Sequence, residues 1–166
     1  MTGEALFRVI YTSRNRVGAD AALLTAAVAD ILAVARRANA RAGVTGALLY
    51  SPAGFAQVLE GSLPDVTATF ERIQRDPRHG DIQVLDSGPI GARGFAGWSM
   101  AAAPPASARV RRLDLGTAPA GEVLGLLASL IGPEPAPPRG TDLPALPETA
   151  MTRRPRARRR PEEIPA

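Results

Sequence analysis

Apolar and polar positions alternate at the start of the chain. In residues 5 to 12, ALFRVIYT, Phe7, Val9 and Tyr11 share one face by the period of two that marks a strand. The period then lengthens: Leu24, Val28, Ile31 and Ala35 recur at helical spacing and predict a long helix over about 20 to 40, with Asp20 as its N-cap. Arg36, Arg37 and Arg41 crowd its last turns, where cations complement the helix dipole. Two apolar runs, 44 to 50 and 55 to 61, flank Ser51-Pro52-Ala53-Gly54 and predict a β-hairpin. Val66, Phe70 and Ile73 form the stripe of a second helix over about 63 to 76, capped by Ser62, with Pro64 in its first turn and Asp76-Pro77 ending it. Strands near 82 to 88 and 95 to 102 follow.

This order predicts an α+β, ferredoxin-like β-α-β-β-α-β-β sheet with two helices on one face. Past Pro104-Pro105, a short C-terminal helix is expected at about 119 to 131, with Val123, Leu127, Leu130 and Ile131 on one side. That side needs cover, either from the sheet face left bare by the first two helices or from the same face of a second copy. From Gly132 onward, nine prolines and seven arginines in 35 residues cannot make a core, so disorder is expected there. The expected division is a sheet domain over 1–103, a helical extension over 104–131 and a Pro/Arg-rich tail over 132–166.

Composition narrows the chemistry. With 166 residues there is room for one domain and no second catalytic module. There is no cysteine, which excludes disulfides, thiolate nucleophiles and cysteine-held metals, and His79 is the single histidine, which excludes a multi-histidine metal site. Whatever chemistry occurs needs carboxylates, hydroxyls and amides, or a borrowed cofactor. The net charge of +4 traces to residues 153 to 160, RRPRARRR, while the rest of the chain is nearly balanced. Such a tail reads first as a solvated appendage, with DNA binding as the alternative. No apolar stretch approaches the roughly 20 residues of a membrane span, and MTGEALFRVI lacks a secretory signal, so a cytoplasmic protein away from membranes is expected.

Two polar residues sit where they should be uncomfortable. Tyr11 shares its strand face with Phe7 and Val9, and Gln57 shares its own with Phe55 and Leu59. Buried, each needs a partner, because leaving one unsatisfied costs about 1–3 kcal/mol. They could simply bond each other or nearby backbone. Asn39, four residues after Ala35, faces inward at the end of the first helix, where an asparagine often serves only as a cap. Together the three could line a slot between helix and sheet suited to a flat heterocycle with carbonyl and N–H edges.

The segments RVIYTS, NARAGVTGALLYSPAGFAQVLEG, IQRDPRHGDIQVL and GFAGWSM resemble the successive motifs of BLUF domains, the flavin-binding blue-light receptors, in order and at unbroken spacing over about residues 5 to 103. The resemblance implies the same ferredoxin-like fold, noncovalently bound FAD and a sensor rather than an enzyme. It implies that Tyr11 gives an electron and a proton to the excited flavin, that Gln57 bridges the phenol to the flavin N5 and C4 carbonyl edge, and that Asn39 holds the C4 carbonyl and N3 edge. Arg72 matches a basic position that reaches the C2 carbonyl in some members. Trp98 and Met100 match a pair on the last strand whose placement varies. Arg78 and His79 could meet the flavin pyrophosphate or ring, or form a solvated loop, and Trp98 could be plain core packing. Ala38 stands where some relatives carry a histidine or asparagine, which removes one contact.

The photochemistry so implied leaves the flavin's redox state unchanged and strengthens a hydrogen bond at its C4 carbonyl, shifting absorption to the red. Absence of cysteine excludes a flavin–cysteine adduct, and no G-x-G-x-x-G fingerprint occurs. A chain of this kind without a fused effector is expected to signal to another polypeptide in trans, and to form a homo-oligomer. Two other readings stand beside it: a flavin-free protein-interaction adaptor of the same fold, and a DNA-associated regulator acting through the arginine-rich tail.

Overall fold

The structure is a computed structural model that describes residues 5–103 and 114–131. The link after Pro104-Pro105 and the tail over 132–166, with its expected disorder, lie outside the described residues. In chain order the elements are β1 (Leu6–Asn15), α1 (Ala21–Ala42), β2 (Thr45–Tyr50), β3 (Gly54–Ser62), α2 (Leu63–Gln74), β4 (His79–Ile90), β5 (Ala101–Ala103) and α3 (Ala120–Ile131). One sheet holds all five strands in the order β4-β1-β3-β2-β5. Its first four strands run antiparallel in the ferredoxin-like arrangement, and β5 adds in parallel to β2.

Local signals account for most boundaries. Asp20 caps α1 by accepting the Leu23 N–H at 2.9 Å, and Gly43 ends the helix in the left-handed region at φ 65°, donating its N–H to Asn39 O. Ser62 caps α2 by accepting the Asp65 N–H at 3.2 Å, with Pro64 in the first turn. The hairpin turn closes by reciprocal bonds between Ser51 and Gly54. At Gly46 any Cβ would lie 2.1 Å from Val58 O, so only glycine lets β2 lie against β3 there.

Parity along β3 divides the core in two. Phe55 and Leu59 join Val9, Tyr11, Leu24, Val28 and Met100 beneath α1 and α2, whereas Ala56 and Val58 join Ile10, Leu49, Val123 and Leu127 beneath α3. Thus α3 covers the sheet face that the first two helices leave bare. Its buried stripe is Val123, Leu126 and Leu127; Leu130, expected on that side, is 37% exposed.

Three strand expectations are corrected. β1 and β4 extend beyond 5–12 and 82–88, because their polar ends pair with each other, as in Asn15 against His79, and ladder bonds need no apolar side chain. The strand expected over 95 to 102 shrinks to Ala101–Ala103; glycines at 91, 94 and 97 deprive the preceding segment of strand propensity, and its backbone bonds elsewhere. Trp98 and Met100 therefore precede the last strand rather than lie on it. In the sheet, β2 lies between β3 and that last strand.

Candidate functional site

A cleft opens between α1 and α2 above the middle of β3. Ile31, Val34, Ala35 and Ala38 of α1 and Ile73 of α2 give it apolar walls; Asn39, Gln57, Thr69, Arg72, Asp76, Arg78 and His79 supply polar groups. Counted out to its open mouth, solvent included, it holds about 660 Å³. Its position explains why α1 is thinly packed: of its 22 residues only Leu24, Val28 and Asn39 are buried, and Ile31 and Ala35 face the cleft half-exposed.

Sheet register builds the floor. Tyr11 and Gln57 are direct cross-strand partners on β1 and β3, so their side chains stand together on the cleft side. The Tyr11 hydroxyl donates to Gln57 Oε1, and Gln57 Nε2 donates to Met100 Sδ at 3.2 Å. Tyr11 is fully buried, its ring tilted against Phe70 with centroids 5.1 Å apart. Burial, aided by the nearby Asp76 carboxylate, pushes its phenol far above the usual range, so it stays neutral.

Asn39 lines the cleft from the end of α1. Its Nδ2 donates to Ser99 O at 2.8 Å, while its buried Oδ1 has no partner among the described residues. A buried acceptor left free beside a cleft is a place for a ligand N–H. Gln57 adds an amide close by, and the flat apolar walls match an aromatic face. The residues present therefore fit the isoalloxazine ring of a flavin.

The rim carries charge. Arg78 donates through Nε to both Asp76 oxygens, at 2.9 and 3.1 Å, and this bonding holds the Asp76 carboxyl below its ordinary range despite partial burial. His79 is buried, lies 4.6 Å from the Phe55 ring centroid to centroid, and shares a 2.9 Å hydrogen bond between its Nδ1 and Ser13 Oγ. Desolvation lowers its pKa below 6.5, with the Arg78 charge adding and Asp76 opposing. Arg72, exposed, donates to Thr69 Oγ1 at 3.2 Å.

Seven of the eight residues singled out in the sequence thus gather at the cleft or its floor: Tyr11, Asn39, Gln57, Arg72, Arg78, His79 and Met100. Trp98 does not; it packs half-buried against the core beneath α3, on the other side of the sheet. Sequence reasoning passed over Thr69 and Asp76 as site residues. Thr69 follows Val66 by three on the inward stripe, a signal that was available; Asp76 read as a helix stop. Among the described residues no cluster of three or more His, Asp or Glu could hold a metal ion, and no helix is long and apolar enough to cross a membrane.

A ferredoxin-like sheet with a helix-walled cleft for a flat ring defines a cofactor-binding module. The family described as "Sensors of blue-light using FAD" matches residues 6–101. The chain is 42% identical over 73 residues to photoactivated adenylate cyclase subunit alpha of Euglena gracilis, covering 44% of this chain and 7% of that protein. To the blue light- and temperature-regulated antirepressor BluF of Escherichia coli K12 it is 35% identical over 75 residues, covering 44% and 19%. The solved dark-state structure of the BLUF protein BlrB matches with a TM-score of 0.65 at 36% identity, over 76% of this chain and 97% of that one. The chain belongs to the BLUF family of blue-light sensors using FAD.

Proposed function

We propose that this chain is a blue-light receptor that binds FAD noncovalently between α1 and α2 and stores the light signal as a rearranged hydrogen bond at Gln57. The observation that carries the reading is the continuous chain from the Tyr11 hydroxyl through the Gln57 amide to Met100 Sδ, beside an Asn39 Oδ1 with no partner among the described residues. That free acceptor also favours an occupied cleft over a flavin-free adaptor.

When bound, the flavin supplies blue-light absorption and, once excited, an acceptor for one electron. Asn39 Oδ1 would accept from the ring's N–H edge, Ile31, Val34, Ala35 and Ile73 would shield its faces, and Arg72, Arg78 and His79 would meet its oxygen-rich parts. Tyr11 is the electron donor, because its phenol is the one hydrogen-bonded to Gln57 on the cleft floor, whereas Trp98 packs across the sheet. A phenol held neutral gives up an electron readily only if its proton leaves too, and the Gln57 amide would relay that proton, taking it at Oε1 while releasing one from Nε2 toward the electron acceptor. When electron and proton return to Tyr11, nothing has been oxidised overall. What persists is a Gln57 amide turned or tautomerised, its Nε2 drawn off Met100.

The chain acts as a sensor rather than an enzyme, its flavin-binding body being residues 1–103, with the segments 104–131 and 132–166 as extension and tail. It passes the signal in trans to an effector protein and works as a homo-oligomer. The cyclase and antirepressor relatives illustrate effectors under light control, though the chain spans only a small part of each. Replacing Gln57 by Leu tests the reading: flavin should stay bound and the light-induced red shift should vanish. A normal photocycle in Gln57→Leu removes the amide from the relay.

A further inference from the structure

Glu60 takes no part in the cleft. It lies on β3 three residues after Gln57, so by parity its side chain emerges on the opposite face, under the loop before β5. It is fully buried, with Oε2 accepting the Phe95 N–H at 3.1 Å and Oε1 without a partner among the described residues. A carboxyl kept in such a place costs folding energy that an apolar side chain would not, which calls for a return elsewhere.

The loop it holds contains Gly91, Gly94 and Gly97 and has little shape of its own. A Cβ on Gly94 would lie in ordinary contact, 3.4 Å from Glu60 Oε1, so the loop backbone passes close over the carboxyl. Next to it, Arg93 donates to the Glu60 main-chain carbonyl and to Gly43 O, each at 2.7 Å, and to Thr45 Oγ1 at 2.9 Å. From there bonds run on toward the cleft: Trp98 N–H to Phe95 O, Gly46 N–H to Trp98 O, Asn39 Nδ2 to Ser99 O, and Arg36 Nε to Met100 O. The strap thus has one end fixed at Glu60 and the other, ending at Met100, at Asn39 and Arg36.

We propose that Glu60 is a positioning residue that, from the far side of the sheet, fixes the 91–100 strap and so sets Met100 against Gln57. The proposal rests on the reading of Gln57 and Met100 given above. It predicts that the carboxyl oxygen matters as an acceptor for the Phe95 N–H and that its charge matters little.

The test uses the FAD-loaded full chain, with amide hydrogen exchange in the dark and the rate of dark recovery after blue light as readouts. Glu60→Gln keeps an acceptor and should match the parent in both. Glu60→Met removes it and should speed exchange at Phe95 and Trp98 by about tenfold or more and change the recovery rate by about threefold or more, with the red shift retained. Glu60→Ala decides the matter if Glu60→Met does not fold. Unchanged exchange at Phe95 overturns the proposal. So does faster exchange with unchanged recovery while Met100→Ala alters recovery, in which case the Gln57–Met100 reading survives. If Met100→Ala also leaves recovery unchanged, both fall together.

Discussion

Replacing Tyr11 by Phe separates the chemical role of the phenol from its packing role. The ring is fully buried and its 5.1 Å contact with Phe70 needs no hydroxyl, so the core stays filled. What is lost is the bond to Gln57 Oε1. Gln57 is 4% exposed, so its oxygen would stay unsatisfied at a cost of about 1–3 kcal/mol. Part of this is offset, because the variant no longer has to bury a polar hydroxyl. A net loss of about 1 kcal/mol is expected, which for a domain of this size lowers Tm by about 3–5 °C. Thermal unfolding followed by circular dichroism on flavin-loaded protein measures it, and the same samples give the light response, which should be absent. A Tyr11→Phe protein that still shows a reversible red shift would refute Tyr11 as electron and proton donor. A loss beyond about 4 kcal/mol would mean that the hydroxyl supports more than the one bond.

Leu127→Ala should lower stability by about 2–5 kcal/mol by opening a cavity beneath α3, while the light-induced spectrum of the folded fraction stays normal, since Leu127 belongs to the core on the far side of the sheet from the cleft; denaturant melts and difference spectra check both. His79 should make the protein acid-sensitive. Its pKa is depressed on folding from 6.5, so the unfolded chain binds the extra proton first, and the stability it contributes is whole above pH 6.5 and declines as pH falls below that value. His79→Gln should flatten this decline, and a melt series in which parent and variant lose stability alike through that window would contradict it.

Much of the fold was legible because its signals are local. The caps Asp20 and Ser62, the Ser51–Gly54 turn and the two helical stripes each mark a boundary without reference to distant residues, and the strand-helix order then admits few topologies. The misreadings lie where partners far along the chain decide. Ser13 is strand because it pairs with Phe55 of β3, and Arg14 and Asn15 because β4 pairs with them, and residues 91–100 are a strap because Glu60 of β3 and Asn39 and Arg36 of α1 hold its backbone. In the site, Tyr11 and Gln57 stood out by the parity of polar residues on apolar faces. Glu60 carries the same signal on the other face, beside Ala56 and Val58, and was passed over. The cleft wall at Val34 could not be seen, because an apolar residue facing a ligand looks like any other apolar helix position.

The most direct measurement is the absorption spectrum of the full chain loaded with FAD, in the dark, under blue light and again after return to dark. The account predicts a small red shift of the flavin bands under light, with no lasting bleaching, that reverses completely in the dark. Identical spectra before and after illumination, or a lasting reduction of the flavin, would contradict it.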